Sequence, residues 1–197
     1  RINKIYFIPS GKKNLPKNTY PSRLPEKFFN NQYSQYLNGN RRFNFEVFFK
    51  LKKYFRKNHR INFLDFGGEN LDLYLFLKEK FPKINIIIVN QYLISKDLNK
   101  IIKNKKIDFI KSYHSINLIK NEKFDFVNFG SSLQYLNDCE KILKILFKKS
   151  KKFFYISATS FYFKKNFKSK IVVKQVNLLP SILHCYIFNF FFIKKIF

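Results

Sequence analysis

Residues 61–70 read Ile61-Asn62-Phe63-Leu64-Asp65-Phe66-Gly67-Gly68-Glu69-Asn70, a short apolar run stopped by a glycine pair. A run of this length, bounded by glycine, predicts a strand that ends in a tight turn. The turn leads into a helix predicted over Asn70 to Lys80, apolar at Leu71, Tyr74, Leu75 and Leu77 and closed by Pro82. Ile84 to Val89 is then an unbroken β-branched run, the pattern of a strand buried on both faces. Strand, glycine turn, helix and buried strand together make a parallel crossover unit. In such sheets ligands bind beyond the carboxyl ends of the strands, which makes the glycine turn the candidate site.

The same rhythm continues outward. Residues 96–103 read as helix, Ile107 to Ile110 as a third strand and Phe124 to Phe129 as a fourth, stopped by Gly130. Cys139 to Lys149 is amphipathic through Ile142, Leu143, Leu146 and Phe147, and Phe153 to Ser157 is a fifth strand. Upstream, Phe43 to Lys57 is a helix candidate. Residues 1–40 read as an irregular N-terminal segment, punctuated by Pro9, Pro16, Pro21 and Pro25. The expectation is an α/β chain with a mostly parallel sheet and helices on both faces, as one domain over residues 41–197.

Composition bounds the function. At 197 residues with 46% hydrophobic and 20% aromatic side chains, the chain is long and apolar enough to bury a core. Its two cysteines, Cys139 and Cys185, exclude a disulfide scaffold and suit a reducing, cytoplasmic setting. No apolar run reaches the roughly 18–20 residues of a membrane span, and no signal peptide is evident. Three scattered histidines, His59, His114 and His184, give no metal-ligand spacing. Ser131 and Ser132 lack a nucleophile elbow, so a hydrolase is not expected.

The formal charge of +27 is unevenly placed. Residues 1–60 carry 15 basic and 2 acidic groups, 61–140 carry 11 and 10, and 141–197 carry 13 and none. Only six of the 39 basic residues are arginine, and the chain has a single alanine, a bias that matches A/T-rich codons. Weak contact of the basic flanks with a polyanion or an anionic membrane surface is the functional reading, and compositional drift the plain one.

Phe63-Leu64-Asp65-Phe66-Gly67-Gly68 resembles the first motif of the class I S-adenosylmethionine-dependent methyltransferases. More narrowly, the chain is similar to a family of bacterial methyltransferases with Leu-Asp-Phe-Gly-Gly and Ser-x-x-Leu-Gln-Tyr-Leu motifs. The second motif stands here as Asn128-Phe129-Gly130-Ser131-Ser132-Leu133-Gln134-Tyr135-Leu136. Lys174-Gln175 and Tyr186-Ile187-Phe188-Asn189 match later landmarks, so the resemblance spans residues 30–190 or so. It implies a Rossmann-like fold of strand order 3-2-1-4-5, S-adenosyl-L-methionine as cosubstrate, and an unidentified acceptor, small or glycan-linked.

The implied site residues follow. Gly67 and Gly68 would bring backbone against the donor's amino-acid end, and Asp65 would orient the loop or accept from a ligand ammonium. The fourth-strand motif adds Gly130 and Ser131 to the cofactor set, and the resemblance puts Gln134 and Tyr135 beside the methyl group and acceptor. The ribose acceptor is normally a carboxylate at the end of the second strand, but Asn90-Gln91 stand there. The turn also lacks the last glycine of the usual pattern, at Asn70-Leu71. His114, just after the third strand, is the candidate general base.

Ile182 to Phe197 is intensely apolar with a lysine pair, and reads as a helix covering the sheet or as an interfacial anchor. The family's C-terminal antiparallel hairpin has no sequence left beyond Phe197, so the sheet is expected to lack it, leaving the fifth strand as an edge. The chain is expected to be shortened there, and its start without Met suggests a few missing N-terminal residues. The rival reading is a catalytically inactive basic module on the same scaffold, binding RNA or anionic surfaces through stretches such as Phe161-Tyr162-Phe163-Lys164-Lys165.

Overall fold

A computed structural model of the chain describes residues 6–15, 26–39, 45–120, 122–130, 132–178 and 181–197. The first elements are β1 (Tyr6–Pro9), α1 (Glu26–Leu37), α2 (Glu46–Tyr54), β2 (Ile61–Phe66), α3 (Leu71–Lys80), β3 (Ile84–Val89), α4 (Tyr92–Asn104) and β4 (Ile110–Tyr113). They are followed by β5 (Phe124–Gly130), α5 (Cys139–Lys149), β6 (Ser150–Ser157), β7 (Phe161–Tyr162), β8 (Lys170–Leu178), β9 (Ser181–Asn189) and α6 (Phe190–Lys194). The chain divides into two compact units, one of Ser22–Gly130 with Lys149–Tyr155, the other of Arg1–Pro21, Ser131–Lys148 and Ile156–Phe197.

The first unit is built on a five-stranded sheet of order β4-β3-β2-β5-β6, which is 3-2-1-4-5 when its strands are counted along the chain. β2 pairs parallel to β3 from Ile61–Ile84 to Phe66–Val89, and parallel to β5 at Phe63–Phe126, Leu64–Val127 and Asp65–Asn128. Ile61, Phe63, Ile84, Ile86 and Ile88 share a core with Leu51 of α2, Leu71, Tyr74 and Leu77 of α3, and Ile94 and Leu98 of α4. The alternate positions Leu64, Val89, Val127 and Phe129 are buried as well. The continuous apolar runs therefore mean what their composition implied, strands with both faces removed from water.

Several boundaries differ from the sequence expectation, each for a physical reason. The segment read as irregular holds β1 and the twelve-residue helix α1. Asn, Gln and Ser dominate α1 and mask its stripe, yet Phe29 is fully buried and Tyr33 and Tyr36 pack on the core. The third sheet strand lies at Ile110–Tyr113, not 107–110, with Ile86 opposite Ile110 and Ile88 opposite Ser112. Its polar residues hid it: Lys111 is exposed at the sheet edge, while Ile107 is buried outside the strand.

The apolar tail is a strand rather than a helix. β9 pairs antiparallel with β8 from Phe188–Lys170 to Ser181–Leu178, and only Phe190–Lys194 is helical. Periodicity alone cannot separate a buried strand from a buried helix in so apolar a run. The five-stranded sheet ends at β6, as expected. An antiparallel hairpin is nevertheless present, and it belongs to the second unit, in a separate sheet of order β1-β8-β9-β7. Within that unit Tyr186 is a buried post: its hydroxyl donates to Asn137 Oδ1 at 2.7 Å and accepts from the Leu15 N–H at 3.3 Å.

Asp125 shows how a polar residue is tolerated inside a buried strand. Its Oδ2 accepts from the Asn62 backbone N–H at 3.0 Å, and Lys152 lies 3.7 Å from Oδ1. Replacing it by alanine leaves a part-buried N–H without an acceptor. Asp125→Ala is expected to lower unfolding stability by about 1–3 kcal/mol and Asp125→Asn by less, read from urea titration midpoints.

Candidate functional site

The turn from β2 into α3 is organised by one buried carboxylate. Asp65, 4% exposed, accepts from Tyr74 Oη at 2.7 Å through Oδ2 and from Asn128 Nδ2 at 2.9 Å through Oδ1. Burial pushes its pKa up to about 6, against the pull of those two hydrogen bonds. Glu69 is raised in turn, first by its own burial and then by the Asp65 charge. The Tyr74 phenol is pushed well above its ordinary value by burial and by the same carboxylate, and stays protonated.

Glycine is required twice in this turn. Gly67 has φ +79°, and its N–H donates to the Val89 carbonyl at 2.7 Å, tying the turn to the end of β3. A Cβ on Gly68 would stand 2.1 Å from Tyr74 Oη and 2.5 Å from Asp65 Oδ2. Gly68 is thus glycine because the Asp65–Tyr74 pair occupies the space. The Leu71 N–H at the start of α3 donates to Gln32 Oε1 of α1 at 2.8 Å, so α1 fixes where that helix begins.

The neighbouring strand ends are bound to the same turn. Asn90 Nδ2 donates to the Gly68 carbonyl at 2.9 Å, and Asn90 Oδ1 accepts from the Gln91 N–H at 2.7 Å. The Asn90 backbone N–H donates to the Tyr113 carbonyl at 3.0 Å. That carbonyl also accepts from Ser95 Oγ at 2.9 Å, and Ser112 Oγ donates to Ser95 Oγ at 3.1 Å. Gln91 is exposed at the start of α4. His114 is exposed just past β4, its ring edge-on to Tyr92 at 5.4 Å.

The structure thus brings Asp65, Gly67, Gly68 and Asn90 into one hydrogen-bonded turn, with Gln91 and His114 at the adjoining strand ends. Gly130 is the half-buried last residue of β5. Ser131 lies outside the described residues. Gln134 and Tyr135 belong to the second unit, in a 3-10 turn over Leu133–Tyr135. There Gln134 is buried and its Nε2 donates to Tyr135 Oη at 3.3 Å, while burial raises the Tyr135 pKa. Among the described residues no group of three or more His, Cys, Asp or Glu is placed to hold a metal ion.

Asn128, Tyr74 and Gln32 are the residues that sequence reasoning missed. A signal for Asn128 was present: Leu64-Asp65-Phe66-Gly67 and Val127-Asn128-Phe129-Gly130 share one pattern, with a lone polar residue before Phe-Gly. The register sets those two polar residues side by side. Asn128 Oδ1 is buried without a hydrogen-bond partner, an acceptor left over beside the Asp65 carboxylate.

The packing around Gly68 is open to a direct check. Gly68→Ala is expected to destabilise the fold by about 1–3 kcal/mol through overpacking. Adding Tyr74→Phe, which removes the closest atom, is expected to restore part of that loss in thermal unfolding.

No family model and no curated protein sequence matches the chain. Among solved structures it is similar to an S-adenosylmethionine-dependent methyltransferase from Clostridium acetobutylicum, with 14% identity, 86% of this chain and 85% of that one covered, and a TM-score of 0.51. A SAM-dependent methyltransferase from Aquifex aeolicus has 16% identity over 68% of this chain and 71% of that one, with a TM-score of 0.46. PKMT2 from Rickettsia typhi, in complex with AdoHcy, has 23% identity over 47% of this chain, with a TM-score of 0.41. The chain spans only 19% of that protein's length. At these identities the likeness is one of fold. Together with the strand order and the glycine turn after the first sheet strand, the Clostridium likeness gives this chain the class I S-adenosylmethionine-dependent methyltransferase fold.

Proposed function

We propose that the chain is a methyltransferase that uses S-adenosyl-L-methionine and acts on a small-molecule acceptor. The observation that carries this reading is the acceptor pair under the glycine turn: the Asp65 carboxylate beside the unpartnered Asn128 Oδ1. Two acceptors with a buried negative charge suit the ammonium of an amino-acid group and oppose a phosphate. That acceptor set fits the amino-acid end of S-adenosylmethionine, which when bound supplies an electrophilic methyl group on a sulfonium.

The chain's own residues then have distinct tasks. Asp65 and Asn128 hold the ammonium, and the Gly67-Gly68 backbone lets the rest of that end approach. At the end of β3 the amide of Asn90 is already committed to the Gly68 carbonyl and the Gln91 N–H, so Asn90 shapes the turn. Gln91 is the amide left to meet the ribose hydroxyls. Gly130, the last residue of β5, and Ser131, next in the sequence, complete the cofactor set in this reading. His114 is the side chain we assign to take a proton from a hydroxyl or ammonium acceptor. Alignment supplies most of the rate in a direct displacement, so these are chiefly positioning roles.

Titration calorimetry with S-adenosylmethionine and its demethylated product tests the reading. An ammonium bound at Asp65 favours the ionised carboxylate. Below the Asp65 pKa of about 6 a proton must leave before the ligand engages, so affinity should rise from pH 5 to pH 7.5. Asp65→Asn should weaken binding and remove that rise. Absence of binding in the wild type, or the same pH profile in Asp65→Asn, would refute the assignment.

The ribose side gives a second check. Gln91→Glu replaces a neutral acceptor by a charged one and should tighten donor binding several-fold, about 1 kcal/mol. An unchanged dissociation constant would remove Gln91 from the site.

A further inference from the structure

The second unit carries a surface that the methyl-transfer reading does not use. Phe163 is 70% exposed, Phe167 47% and Phe190 39%, the first two on the loop after β7 and the third at the start of α6. Single exposed aromatics need no explanation, but each of these packs on another ring. The Phe163 ring packs on Phe190 at 5.0 Å, Phe161 meets Phe190 edge-on at 6.2 Å, and Tyr162 meets Phe167 at 5.9 Å.

The cluster is held in place by the buried side chain of Asn189. Its Nδ2 donates to the carbonyls of Lys164 at 2.9 Å and Lys168 at 3.3 Å, fixing both ends of the loop tip. Its Oδ1 accepts from the Phe191 N–H at 3.1 Å, capping α6 and setting the direction of Phe190. The Tyr162 hydroxyl also donates to the Lys168 carbonyl. Asn166 closes the tip at φ +55°. One amide therefore presents the two Phe-bearing segments together, with their rings toward solvent.

The charge carried by the two segments themselves has one sign, while Asp138 and Glu140 line a cavity with Ser169, Lys170 and Phe192 on the α5 side. Lys164, Lys165 and Lys168 are exposed on the loop, and Lys194 and Lys195 at the end of α6. Residues 156–197 contain seven lysines, no arginine and no carboxylate. We propose that this aromatic and lysine tip docks on an anionic lipid surface, with Phe163, Phe167 and Phe190 entering the headgroup boundary and the lysines facing the lipid charge. An apolar group at the water boundary, ringed by cations, is the chemistry such a surface recognises. Among the described residues no helix is long and apolar enough to cross a membrane, so the contact is interfacial. A nucleic-acid strand fits less well. Phe163 and Phe190 pack on each other, Lys164 lies 4.8 Å over Phe167, and base stacking needs open ring faces. Lysine also offers no bidentate phosphate contact.

The test uses the full chain with vesicles of phosphatidylcholine alone and of phosphatidylcholine mixed with phosphatidylserine. The chain should sediment with the mixed vesicles and not with the neutral ones. Phe163→Ser with Phe167→Ser leaves the charge unchanged and touches only exposed rings, so far-ultraviolet circular dichroism should stay that of the wild type. It should weaken vesicle binding roughly tenfold or more. The chain has no tryptophan, so Phe163→Trp introduces a unique reporter whose emission should shift to the blue on the mixed vesicles. No sedimentation, undiminished binding of the double variant, or an unmoved indole emission in the Phe163→Trp variant would each overturn the proposal. Loss of affinity for a single-stranded RNA oligonucleotide in the double variant, with vesicle binding intact, would assign the surface to nucleic acid instead. None of these readouts depends on methyl-donor binding.

Discussion

A carboxylate buried in the middle of a parallel sheet constrains the rest of the first unit. Asp65 stands on the strand paired on both sides, where desolvation disfavours its charge. It is tolerated because Tyr74 reaches it from α3 and Asn128 from β5. Both partners come from elements whose positions are thereby fixed. The space taken by the Tyr74 hydroxyl makes residue 68 glycine, while the positive φ of Gly67 turns the chain towards α3. One polar interaction thus couples the strand register, the turn and the helix start.

Neutral side chains hold most of the backbone around this turn. Asn90 ties the turn to the end of β3, Ser95 and Ser112 tie β4 to α4, and Gln32 meets the first N–H of α3. Each bond is worth about 0.5–1.5 kcal/mol net, and together they hold backbone that carries no regular ladder partner. The arrangement leaves Asp65 deeply buried at the strand end, with Glu69 half-buried after it and Asp72 buried in the first turn of α3.

The second unit solves a different problem with the same kind of residue. Its small sheet has little room for a deep core, and polar posts anchor it. Tyr186 holds Leu15 and Asn137, while Asn189 holds the loop after β7 and the start of α6. The aromatic side chains that remain outside cluster on one another. Lysine-rich composition alone would scatter charge over every solvated face. Fixing the loop gathers it beside exposed rings.

What the sequence by itself determined was the parallel-sheet architecture and the place of the turn. Unbroken runs such as Ile84–Val89 and the Gly67-Gly68 stop are local signals, and local signals survive without a partner. The methyltransferase-like strand order followed from the motif resemblance and was met by the pairing of β2 with both β3 and β5. Helix α1 was not legible because its polar residues looked like loop and only tertiary packing buries Phe29. The tail was misread because an apolar run has no period to distinguish strand from helix, and β8 decides the matter by pairing with it. The meeting of Asp65 and Asn128 joins residues 63 positions apart. Tertiary structure alone decided that contact, because strand register, not sequence proximity, sets which buried polar groups share a hydrogen bond.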